Sequence, residues 1–184
     1  MYRQRHLLAA ALMLLAGALP PARAQDSVVF DGERYMRMHR EKQSPGDRMV
    51  QFVREPETLE NWTQAIGYYR YRTKGNDPTR AAYELRDIVK AANPDAETGI
   101  LLHTVTRDAL IEFLTWPADG RYREFTVVRY SRSADGNGLV AFQFSHRFQG
   151  AVKDSAEHFD KKWLSWKSQA LEFDIAKVHA ALGD

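Results

Sequence analysis

The sequence predicts an α+β domain: an antiparallel sheet of about five to seven strands covered by helices, one of them a long C-terminal helix. Three observations lead there. Four β-rich segments with short, turn-forming links run from Gly99 to Phe148; an amphipathic helical stripe with a strong start at Asp77 and Pro78 precedes them; and a second helical stripe occupies Asp154 to Leu182.

Taken in order, Gln25 to Gly32 reads as a short lead-in that pairs loosely or stays mobile. Tyr35 to Glu41 and Met49 to Val53 flank the turn residues Ser44, Pro45, Gly46 and Asp47, which makes a two-stranded hairpin. Glu55, Pro56, Glu57 and Glu60 supply the acidic residues and proline that suit a first helical turn, so a short helix packed by Leu59 and Trp62 is expected next. Ile66 to Tyr71 is aromatic-rich and either continues that helix or forms a strand.

Asp77 can accept backbone donors at a helix start, and Pro78 fits the first helical position without losing a bond. The helix is expected to run to about Ala92. Ala81, Leu85, Ile88, Val89 and Ala92 recur at three-and-four spacing, and Asn93-Pro94 stops it. The four strands that follow are Gly99 to Val105, Ala109 to Trp116, Tyr122 to Arg132 and Leu139 to Phe148. Pro117 to Gly120 and Ser133 to Gly138 are turn-forming links, so an antiparallel meander results. In its last strand Val140, Phe142, Phe144, His146 and Phe148 share one face, which is the face expected to be buried. Beyond it, Ala156, Phe159, Trp163, Trp166, Ala170 and Phe173 line the long helix, with a cap expected at Asp154 or Ser155.

The amino terminus has the order of a signal peptide: Arg3 and Arg5, an apolar run from Leu7 to Leu19, Pro20-Pro21, then Ala22-Arg23-Ala24. Crossing a bilayer takes roughly 20 apolar residues, and this run is shorter. Cleavage is expected after Ala24, giving a leader of residues 1–24, a single domain of 25–184, and a periplasmic or secreted product without stable membrane insertion. Loss of Arg3, Arg5 and Arg23 takes Lys+Arg from 26 to 23 against 24 Asp+Glu. The near-neutral product lacks the concentrated basic surface that nucleic acid demands, so no nucleic-acid partner is expected. The absence of cysteine excludes disulfides, thiol catalysis and thiolate metal sites.

No catalytic or metal motif stands out, and no cofactor is expected. His39, His103, His146, His158 and His179 fall in separate elements, without the i, i+4 pairing of a zinc helix. Ser145 and His146 adjoin on a strand and therefore point to opposite faces, and no Gly-x-Ser-x-Gly elbow occurs. Asp135 to Gly138 lacks the further ligands of a calcium loop. What does carry binding chemistry is the interleaving of arginine with aromatic rings, in Tyr68-Tyr69-Arg70-Tyr71-Arg72 and in Arg121-Tyr122-Arg123. Such pairs stack on ligands and anchor interfaces. The candidate binding residues are Tyr68, Tyr69, Arg70 and Arg72, with His146 and Arg147 from the last strand.

The stretch from Val50 to Thr63, with Glu57, Asn61, Trp62 and Thr63 after a strand, resembles a pattern in uncharacterised secreted bacterial proteins, as does the late strand ending Phe144-Ser145-His146-Arg147. The order of elements is similar to the Mog1/PsbP-type sandwich. That resemblance implies a binding or accessory module and brings no catalytic residue. The expected function is an exported accessory protein that binds a protein or an envelope component, an inhibitor or immunity role being one form. The competing expectation is a hydrolase or small-ligand-binding protein assembled from His146, Arg147 and Glu112.

Overall fold

A computed structural model describes residues 26–44, 46–148 and 156–183 of the chain. The leader and the caps expected at Asp154 or Ser155 lie outside them. Eight strands form one antiparallel sheet: β1 (Ser27–Phe30), β2 (Glu33–Ser44), β3 (Asp47–Val53), β4 (Gln64–Tyr71), β5 (Glu97–Leu102), β6 (Ala109–Thr115), β7 (Arg123–Arg132) and β8 (Leu139–Phe148). Their order across the sheet is β1-β2-β3-β4-β8-β7-β6-β5. Two four-stranded meanders thus meet at β4 and β8, where Gln64 to Tyr71 pairs with Leu139 to His146. The helix α1 (Pro78–Ala92) carries the chain from the centre to the far edge, and α2 (Ala156–Glu172) and α3 (Ile175–Leu182) follow the last strand.

The expectation of five to seven strands is therefore corrected to eight among the described residues. The lead-in is a strand because Val28 and Phe30 bury one face, and Asp31-Gly32 makes the tight turn back, both residues having positive φ. Ile66 to Tyr71 resolves as a central strand. The short helix expected after Val53 does not form: the carboxylate of Glu57 accepts from Arg54, from the Thr63 hydroxyl and from the Gln64 amide, closing a loop instead of capping a helix.

The long C-terminal helix, and with it the Mog1/PsbP-like arrangement, is also corrected. Phe173 turns inward and stacks on Phe142 with ring centroids 4.1 Å apart. Asp174 then starts a new helix by accepting from the Ala176 amide. Buried Arg129 holds the break, donating from Nη1 to the carbonyls of Leu171 and Phe173 while Nε and Nη2 reach Asp108 at 2.9 and 2.6 Å. A cation at a helix C-terminus also opposes the helix dipole favourably.

Both faces of the sheet are covered. The first face packs Phe30, Phe52, Tyr68, Phe142 and Phe144 beneath α2 and α3; the second packs Ile111, Val128, Tyr130 and Ala141 beneath α1. Each buried Leu, Val or Phe side chain contributes roughly 1.5–3 kcal/mol. Ala141 and Ser145, on the face of β8 opposite Phe142 and Phe144, are buried as well. Among the described residues no helix is long and apolar enough to cross a membrane.

Candidate functional site

Strand parity decides the fate of the arginine–aromatic cluster. In β4, Tyr68 and Arg70 point to the first face and are 0% and 4% exposed. Tyr68 lies among Phe52, Phe142 and Phe173. Arg70 donates to Asp135 Oδ2 at 3.0 Å and reaches the Gly183 carbonyl at the end of α3, where Arg40 and Arg48 also donate to the last carbonyls. Arg72 is exposed and joins the same carboxylate at 2.7 Å. Hydrogen bonds from the Ser133 hydroxyl and the Asn137 amide, together with these arginines, hold the Asp135 pKa down at about 2. Tyr68, Arg70 and Arg72 therefore lock the β7–β8 turn and α3 to the sheet. Tyr69, on the second face, lies over Gly67 and stacks on Tyr71, and burial pushes its hydroxyl up to about 12.

The last strand separates its two candidates in the same way. His146 faces Trp166 and Phe148 on the first face, with ring centroids 5.0 and 5.9 Å away. Burial, and then the positive field of Arg54, lower its pKa to about 4, so at neutral pH it is an uncharged ring. Glu112 sits on that face too, on β6, with Phe125 and Val127 of β7 between them. Arg147 points to the opposite face. The three residues of the expected dispersed site do not converge.

Arg147 instead forms a site that the sequence only half revealed. Its amide donates to the Thr63 carbonyl at 2.7 Å, which brings the loop before β4 against the end of β8. The guanidinium then lies between two rings, 3.6 Å from the Trp62 centroid and 4.8 Å from that of Tyr122, and its Nε donates to Glu124 at 2.9 Å. A planar, delocalised cation suits this stacked arrangement in a way an ammonium does not. Arg121 lies over the Tyr122 ring, 5.5 Å from its centroid. Around this clamp is an open depression of about 690 Å³, bordered by Leu59, Asn61, Trp62, Arg121, Tyr122 and Phe148. Trp62 read as a packing residue of a helix, while Tyr122 read both as the start of a strand and as part of the arginine–aromatic run Arg121-Tyr122-Arg123. The β7–β8 pairing brings Tyr122 beside the end of β8, and the β4–β8 pairing, between segments some eighty residues apart, brings Trp62 to the other side of Arg147.

A family model matches residues 22–176, most of the chain. The chain belongs to this uncharacterised family. No curated protein matches it.

Proposed function

We propose that this family member is an exported accessory protein that binds a protein partner or an envelope component in the depression around Arg147. The observation that carries the reading is the clamp itself. Trp, Tyr and Arg are the side chains that dominate binding hot spots, and here all three are held on a strand and a tied-down loop, with apolar Leu59 and Phe148 beside them. A ligand meets a preorganised surface and loses little freedom in ordering it. Export is supported by the leader pattern alone, and amino-terminal sequencing of the purified product is expected to begin at Gln25.

The function is tested by placing a photo-crosslinking residue at Asn61 in the native host, with a control at Asp87 on the exposed side of α1. A discrete adduct from position 61, absent from position 87 and lost when Trp62→Ala or Arg147→Ala is added, is the expected result. Adducts common to both positions, or indifferent to the two substitutions, refute the site.

A further inference from the structure

The two edges of the sheet are finished differently. Edge β1 is four residues long, and its turn is tied to α2: Asp31 accepts from Trp166 Nε1 at 2.8 Å, Lys162 at 3.0 Å and Gln169 at 3.1 Å. Edge β5 is six residues long, and among the described residues no strand pairs with its outer side. It has none of the prolines or lysines that discourage edge pairing, and its one charge is Glu97. Leu101 and Leu102 are 51% and 46% exposed. In an antiparallel edge strand, alternate residues turn both backbone N–H and C=O outward, so β5 offers a row of donors and acceptors.

A small cavity of about 140 Å³ opens beside this edge, lined by Glu97, Gly99, Glu112, Leu114, Phe125 and Trp163. Residue 99 has no side chain, and Glu112 uses that space. Glu112 lies across that position, and a Cβ there would come within 2.7 Å of its Oε1. Phe125 and Trp163, stacked 4.8 Å apart, form the apolar wall. Glu112 Oε1 accepts from Lys167 at 3.0 Å, while its Oε2 is buried with no donor among the described residues. Glu97, Gly99 and Leu101 share the face that holds the cavity. Two carboxylates against one ammonium leave the cavity negative.

We propose that β5 is a docking edge for an extended peptide segment, which adds as a ninth strand and places a lysine or arginine side chain in the cavity beside Gly99 and Glu112. Main-chain bonds to β5 supply sequence-independent affinity, and the cavity supplies the choice of side chain. The incoming cation lies near the Trp163 ring and between Glu97 and Glu112. Two positions along, on the same face, an apolar residue of the segment covers Leu101. An acidic residue in the same place meets two carboxylates and is rejected.

The probe is an alternating threonine–valine heptapeptide with one central lysine, added to the purified protein and followed by amide hydrogen exchange and amide chemical shifts. Protection of Thr98 to Leu102 is expected, with affinity falling about tenfold or more when the central lysine is replaced by glutamate. N-methylation of the peptide amides that face β5 is expected to abolish binding, and Glu112→Gln to shrink the lysine-over-glutamate preference. Unchanged β5 amides at millimolar peptide, equal affinity for the two peptides, or indifference to N-methylation overturns the proposal. So does a protein that already self-associates through protected β5 amides without peptide, because the edge is then an interface between copies of this chain. The peptide-side substitutions keep the test decisive even where Glu112→Gln disturbs folding.

Discussion

Arg129 and Arg147 stand on neighbouring central strands, each beside a carboxylate from another segment, and they do opposite things. Arg129 is enclosed on the first face: Asp108 takes two of its donors and the carbonyls ending α2 take another. Arg147, on the second face, gives one donor to Glu124, spreads its plane between Trp62 and Tyr122, and borders an open depression. The difference teaches that arginine chemistry alone does not mark a binding site. What matters is whether the rest of the fold has used up the donors, and that depends on which face the strand presents and what lies over it.

The sharpest way to break this comparison is to remove the enclosed arginine. Arg129→Met leaves Asp108 buried without its counter-charge and the α2 carbonyls without their donor. Breaking a buried pair from one side costs about 3–5 kcal/mol. Urea denaturation is expected to show a loss of that order. A loss no larger than that of an Arg147 variant contradicts the contrast.

A smaller effect comes from pH, through the ring beside Arg147 in sequence. The His146 pKa is lowered from 6.5 to about 4 in the folded chain. The unfolded chain therefore binds a proton that the folded chain refuses throughout that interval. Stability is full above about pH 6.5 and falls as pH drops toward 4, by about 3 kcal/mol. His146→Gln, which cannot titrate, is expected to flatten the curve there. The carboxylates of Asp31 and Glu57 lose their contributions at lower pH still. Burial raises both pKa values, but hydrogen bonds from Trp166, Gln169 and Lys162 to the first, and from Thr63 and Arg54 to the second, more than reverse it.

The first helix and the strands after it were legible because they are written in local pattern. The Asp77-Pro78 start, the stripe of α1 and the turn-separated strands from β5 to β8 all rest on neighbours in sequence. Failures occur where a long-range partner decides. β4 is covered on both faces, so Tyr68 to Tyr71 shows no alternation, and Gly67 with its lack of a side chain accommodates the Tyr69 ring rather than marking a turn. Glu57 reads as a helix-start carboxylate until Arg54 and Thr63 claim it. The break at Phe173 is visible only as Asp174 in a capping position, since its donor, Arg129, comes from forty residues earlier. Arg147 was legible as a candidate and Tyr122 as part of an arginine–aromatic run; Trp62, which completes the clamp, was not, because the non-local β4–β8 pairing brings it there.

Asp31 gives a more modest test of the tie between the β1–β2 turn and α2. Asp31→Asn keeps a residue that tolerates the positive φ of 50° while removing the charge that Lys162 and Trp166 address. A loss of about 1 kcal/mol is expected. Hydrogen exchange is expected to rise at the Phe30 and Glu33 amides and not in β5 to β8.

The smallest expected change in stability belongs to Arg147 itself, and it carries the most information about the site. Its pair with Glu124 is partly exposed and it borders an open depression, so Arg147→Ala is expected to cost no more than about 1 kcal/mol. Arg147→Lys separates the two things the side chain offers, because lysine keeps the charge and loses the flat fork that fits between Trp62 and Tyr122. If the depression recognises its ligand by charge, lysine preserves the crosslink from position 61 and alanine abolishes it. If the stacked plane sets the geometry, both substitutions abolish it while urea denaturation leaves the two variants near the parent. A large loss of stability in either variant places Arg147 with Arg129 among the enclosed arginines and removes the distinction on which the binding site rests.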